Sequence, residues 1–370
     1  EVLFKELDQQ YENFETSSLV KKNIKSLLSD NTFTVTTGHQ LNIFTGPMYV
    51  IYKIVSAIKL SKILSKKYPK YNFVPIYWMA SEDHDFEEIK SFHSNGKTYT
   101  WDIKSNGPVG NLNTEALKNI FNENISIPDF FKEAYSSSSS LSEAVRKYMN
   151  YLFGEYGLIT IDPNSKNLKK NISDIIVDDI VNNTIEKIEK SSDKISDVYV
   201  RKINFFYQES NLRERIDKTD KYNVLSTSLS FTEQEIKDKI KSSPELFSPN
   251  VITRCLFQQR ILPNVCYLGG PAEIVYWESF KKFFDNYNIP YPVLVPRDFA
   301  LLLTAKIQKL IKKLNLSLID LFEDKNKIEN KVLAVEADAS KNFKREIDDI
   351  NKILNNVSEK FEKEDPTMKP

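Results

Sequence analysis

Cysteine is nearly absent from these 370 residues: Cys255 and Cys266 are the only two, eleven positions apart. That is neither a disulfide framework nor a zinc-ligand spacing, so a reduced, cytoplasmic setting is expected. An excess of one charge is also missing. Lys+Arg and Asp+Glu both total 51, which removes any global argument for nucleic acid or an anionic membrane as partner. No apolar run approaches the ~20 residues that span a bilayer, and no secretory pattern opens the chain. Because the first residue is Glu1 and not Met, a fragment or trimmed chain is expected. Histidine is scarce, with three, and glycine numbers nine, well below its usual share of ~7%. Scarcity makes each placement informative. What is present is 41% apolar and 12% aromatic residues, enough for a folded chain of two or three domains.

The stretch 36–59 organises the rest. A β-branched run at 33–37 reads as a strand. A turn with Gly38 follows, then Thr45-Gly46-Pro47, then Met48, Ile51, Ile54, Val55 and Ile58 at helical spacing. Pro47 suits a first helical turn, and the helix should stop near Tyr68-Pro69. Strand, glycine turn and helix are the layout that offers backbone N–H groups to an anion. A nearly all-apolar strand at 73–79 completes a βαβ unit. Further strands are expected at 157–163, 265–268 and 291–295, with helices at about 47–67, 166–191, 249–260 and 272–286. Strands alternating with helices give an α/β fold with a doubly wound parallel sheet, residues 1–303. Two insertions are expected, at about 90–155 with a strand at 98–103 and helices at 114–124 and 141–154, and at about 193–245. Residues 304–370 change character. Helices are expected at 304–314 and 326–363, the second with a seam of Phe343, Ile347, Ile350, Leu354, Val357 and Phe361 spaced 4, 3, 4, 3, 4 until Asp365-Pro366. That is a coiled-coil repeat, whose stripe needs a partner surface and predicts a homodimer.

His39 and His84 each follow an apolar strand, where open α/β sheets place ligands. Two readings compete. They form a pair at one crevice that binds an anion and moves protons, or each caps a helix; the repeated placement favours the first. His93 is read as a surface residue. Glu82, Asp83 and Asp85 flank His84, and orienting it suits them better than holding a metal, because sequence neighbours rarely reach one ion. No metal is expected. Around the first turn, Gly38, Gln40, Asn42, Thr45, Gly46, Tyr49 and Lys53 are candidate binding residues, Lys53 as the cation for a phosphate or carboxylate. Gly269-Gly270-Pro271 repeats the turn-to-helix logic. In the helix it opens, Glu273 and Tyr276 either touch substrate or pack, and Trp277 reads as core. Arg297, just past the last strand, is a second candidate cation. Both cysteines read as small buried residues.

Three blocks also resemble a known family: TGHQLNIFTGPMYVIYK, FVPIYWMASEDHDFEEI and FSPNVITRCLFQQRILPNVCYLGGPAEIVYW. In order and spacing they are similar to BshC, the cysteine-adding enzyme of bacillithiol biosynthesis. The resemblance implies a Rossmann-like core related to nucleotidylyltransferases and class I aminoacyl-tRNA synthetases, with connecting insertions and a C-terminal coiled coil associated with dimers. It implies a ligase that joins cysteine to the amine of glucosaminyl-malate. Gly38-His39-Gln40 matches the family's TGHQ and looks like a variant of that superfamily's phosphate-binding motif; Glu82-Asp83-His84-Asp85 and Gly269-Gly270 map directly. Amide formation from a free carboxylate is uphill, so ATP is the expected activator, although no P-loop is present and no lysine-rich second motif follows Val295. The family extends beyond this C-terminus, so a truncated coiled coil is expected. A nucleotidylyltransferase-like enzyme for another small substrate, or a non-catalytic coiled-coil scaffold with a degenerate core, are the alternatives.

Overall fold

A computed structural model describes residues 1–12, 15–94, 96–121, 126–340 and 343–364. Its strands in chain order are β1 (Thr32–His39), β2 (Asn72–Met79), β3 (Ser91–Ser94), β4 (Lys97–Thr100), β5 (Ile159–Ile161) and β6 (Phe205–Glu209). They continue as β7 (Leu212–Lys218), β8 (Tyr222–Val224), β9 (Ser230–Phe231), β10 (Phe247–Pro249), β11 (Asn264–Gly269) and β12 (Val293–Pro296). Two compact units are present, Glu1–Phe299 and Ala300–Pro370.

The first unit is built on a five-stranded, all-parallel sheet in the order β12-β11-β1-β2-β5. The alternation of β2 explains why its sequence is apolar throughout. Val74, Ile76 and Trp78 enter one core cluster with Ile159, Ile161 and Phe257. Tyr77 and Met79 enter another with Val50, Ile54 and Ile58 of the helix Tyr49–Lys67. A sheet covered on both faces has no polar side to show. The pairing aligns the strand ends: His39 faces Met79, Thr37 faces Leu268, and Gly269 faces Pro296. The loops after β1, β2, β11 and β12 therefore leave from one edge.

The insertions depart from the sequence expectation. In the first, β4 ends at Thr100 and pairs only with β3, short of the expected 98–103. A further helix at Asp129–Ser136, between the two expected ones, packs Phe131 and Tyr135 into the core. The expected helix at 114–124 is a short 3-10 and α segment to Phe121, and 122–125 lie outside the described residues. The second insertion is an antiparallel sheet, β10-β6-β7-β8-β9. Its strand β7, LRERIDK, is mostly charged and so escaped a hydrophobic pattern. The single helix expected at 166–191 is broken, with Asn183 left-handed (φ 54°) between Ser173–Asn182 and Thr184–Ser191. Asparagine tolerates that conformation, and the Asn183 side chain donates to the carbonyl of Lys202 at 3.0 Å.

In the second unit, Ala305–Lys313 is helical, and the expected long helix is described as Lys325–Ser340 and Lys344–Glu364. The six seam residues are each 44–60% exposed. Asp365 and Pro366 lie outside the described residues. Among the described residues no helix is long and apolar enough to cross a membrane.

Candidate functional site

The loop after β1 turns by a strained route. Phe44, Thr45 and Gly46 all have positive φ, at 53°, 70° and 68°. Phe44 is held there by the Tyr135 hydroxyl, which accepts its N–H at 2.8 Å, and by rings of Phe92 and Tyr135 at 4.7 and 5.3 Å. Any Cβ at Gly46 would sit 2.5 Å from Cβ of Asn42. Asn42, Thr45 and Gly46 thus shape the turn and do not line the cavity that it borders.

That cavity, of about 590 Å³, opens at the edge where the parallel strands end. From the loops after β1 and β2 it takes Gly38, His39, Gln40, Glu82 and Asp83. Tyr49 and Lys53 come from the following helix, Gly270, Glu273 and Tyr276 from the helix Pro271–Ser279, and Arg297 from the end of β12. Gly269 and Asp85 lie outside its lining. Asp85 caps the short helix Phe86–Ile89, accepting the Glu88 N–H at 3.4 Å.

The charges can be followed pair by pair. Lys53, expected from sequence to face an anion, is only 2% exposed and is bound to Glu273 at 2.7 Å. Its ammonium also donates to the Gly38 carbonyl at 2.7 Å. Glu273 additionally accepts from the Gly270 N–H at 2.7 Å and the Tyr267 hydroxyl at 3.0 Å. Burial alone would raise the Glu273 carboxyl; Lys53 and the Gly270 N–H outweigh it and hold it below the usual range. Glu82, 5% exposed, is paired with the fully buried Lys169. Asp83 accepts from Gln40 at 2.9 Å and faces Arg213; these and nearby backbone N–H groups outweigh burial and lower its pKa. Lys53 and Glu273, Lys169 and Glu82, and Arg213 and Asp83 therefore offset one another. Arg254 and Arg297 line the same cavity and form no ion pair among the described residues. Arg254 reaches Gln258 at 3.2 Å, while Arg297 lies over the Tyr49 and Phe299 rings with its Nε buried and unpartnered.

His39 stands edge-on to Tyr49, with Nε2 buried and without a hydrogen-bond partner. Burial first, and Lys53 second, push its pKa down to about 4 against the pull of Glu273. It is a neutral imidazole at physiological pH. His84 does not line the cavity; it reaches it through Arg213, 2.6 Å from its Nδ1. Sequence reasoning missed Arg213, Arg254, Asn250 and Phe206. Arg213 lies in the charged strand β7, and Arg254 interrupts the apolar face of the helix Val251–Ile261, which Asn250 caps. An arginine one turn past a Pro-Asn cap was the available signal for Arg254. Cys255 and Cys266 are buried, free thiols raised to about 12 by burial, which removes them as nucleophiles.

Fold and site together define a Rossmann-like α/β domain with a cleft at the carboxyl ends of its strands. The chain belongs to the BshC family: residues 1–298 match the family described as "Bacillithiol biosynthesis BshC, N-terminal Rossmann-like domain". Among its relatives, the protein of Flavobacterium johnsoniae named "Putative cysteine ligase BshC" is 45% identical over 343 residues, covering 88% of this chain and 65% of the relative. The same-named protein of Christiangramia forsetii is 42% identical, covering 89% and 65%. That of Chloroherpeton thalassium is 30% identical, covering 83% and 60%. The chain thus spans under two thirds of the length of these relatives.

Proposed function

We propose that this chain joins the carboxyl of cysteine to the amine of glucosaminyl-malate, as a ligase of bacillithiol biosynthesis. The observation that carries the reading is that Arg254 and Arg297, neither of them in an ion pair among the described residues, line one cleft. Guanidinium forks match carboxylates in geometry as well as charge, and a malyl group carries two carboxylates. In the reaction an amine nitrogen bonds to the cysteinyl carbonyl carbon, the C–O bond to the leaving group breaks, and the nitrogen gives up a proton. His39, neutral and with a free Nε2, is the acceptor for that proton. The activator is an ATP-type nucleotide; when bound it supplies the leaving group. We further propose kinship of the core with the nucleotidylyltransferase-like folds, a cytoplasmic location, and a homodimer through a coiled coil of the helix Lys344–Glu364.

Product formation tests this. Expression in cells lacking their own enzyme should restore bacillithiol, and His39→Ala should lower the rate by roughly 10²–10⁴ with little change in melting temperature. A wild-type rate in that variant would remove His39 from the mechanism. No product from the parent chain, even when extended to the length of its relatives, would remove the function.

A further inference from the structure

We propose that Arg213, supplied by the inserted antiparallel sheet, is the positioning residue that fixes His84 as a hydrogen-bond donor, with its proton on Nε2. Three contacts immobilise the guanidinium. Its Nε donates to the Ser248 hydroxyl at 2.9 Å, its Nη2 to the Pro249 carbonyl at 3.0 Å, and its face lies 3.9 Å from the Phe206 ring centroid. The residue is 7% exposed. The remaining arm, Nη1, points at Nδ1 of His84 at 2.6 Å, and Phe206 also flanks the imidazole at 5.7 Å.

Arginine has five donors and no acceptor. A hydrogen bond of that length therefore requires a lone pair on Nδ1, and the imidazole proton must then reside on Nε2. The charged groups around His84 divide. Asp83, with Oδ1 3.7 Å from Nδ1, and Asp85 and Glu214 favour the imidazolium. The partial loss of water around a side chain still 45% exposed, and Arg213, oppose it and prevail, so the histidine titrates below its ordinary range. Asp83 is a weak competitor because its oxygens are occupied by Gln40 and by the His84 and Asp85 N–H groups. A neutral ring of this tautomer has only a donor to offer a substrate. With its Nδ1 lone pair engaged by Arg213, it cannot accept the amine proton. The two loop histidines then differ: His39 lines the cavity with Nε2 unpartnered, while His84, outside the lining, presents only a donor. The role in turnover rests on the proposed function; the tautomer does not.

Nitrogen NMR on the whole chain labelled at histidine tests it, since only three histidines are present and His84→Gln identifies the signal. The expected result is a protonated Nε2 and an unprotonated Nδ1 at pH 7, with a titration midpoint below the ordinary value of about 6.5. Arg213→Met should mix the tautomers and raise the titration midpoint. A proton on Nδ1 at pH 7, or a folded Arg213→Met variant with unchanged tautomer and midpoint, would overturn the proposal. If that variant does not fold, the parent spectrum alone decides. A chain with the expected spectrum but no ligase activity would sink the function and leave the role of Arg213 standing.

Discussion

His39 shows how one buried residue links the site to the stability of the fold. An unfolded histidine takes up its proton near pH 6.5, whereas this one, buried and beside Lys53, does so only at about 4. Between those values the unfolded chain binds more protons, so stability is fully present above pH 6.5 and declines as pH falls towards 4. The gap corresponds to at most roughly 3 kcal/mol. Urea unfolding at pH 7 and pH 4.5 should show a smaller acid loss in His39→Gln than in the parent chain. Equal losses in the two would mean that His39 is not held neutral by its surroundings. Lys53 carries the complementary lesson. A lysine in a binding turn reads as a free cation until burial and Glu273 are seen to consume it.

At the scale of elements, the helix Val251–Ile261 is set by its cap. Asn250 accepts the N–H groups of Ile252 and Thr253 at 2.9 and 3.0 Å and donates to Asn204 at 3.1 Å. Asn204 in turn is held by the buried Asp179. Replacing Asn250 by alanine should cost about 1–2 kcal/mol, as loss of an N-cap does, and should weaken substrate binding as well, because this helix carries Arg254. Thermal unfolding and substrate titration on one sample would check both; an unchanged melting temperature would contradict the capping account. The parallel sheet was legible because the apolar strands β1, β2 and β11 alternate with helical segments, and the glycine turns marked the edge at which the cavity opens. The antiparallel insertion was legible in its place in the chain but not in its strand β7. Strand β7 buries Arg213 and Ile216 among charged neighbours, and what holds it is pairing with β6 and β8, separated from any local hydrophobic signal. The site was half-read for the same reason: residues at strand ends were found, while Arg213 and Arg254, delivered by an insertion and by a helix interior, were not.

At the scale of the whole molecule, the seam Phe343–Phe361 leaves large side chains in water, each worth roughly 1.5–3 kcal/mol if covered. The proposed homodimer covers them. Sedimentation should show the parent chain as a dimer at tens of micromolar and Ile350→Lys/Leu354→Lys as a monomer with its parallel-sheet unit still folded; a monomeric parent would end that proposal. The central claim is that the cleft recognises a malyl-bearing amine through Arg254 and Arg297. Arg297 is half-buried, lines the cavity and belongs to no core cluster, so its removal probes recognition more than folding. The most direct measurement is calorimetric titration of glucosaminyl-malate into the parent chain and Arg297→Ala. Losing one charge-assisted contact of about 1.5–3 kcal/mol predicts a fall in affinity of roughly 10- to 150-fold. Equal affinity in the two proteins, or no binding to the parent, would contradict the account.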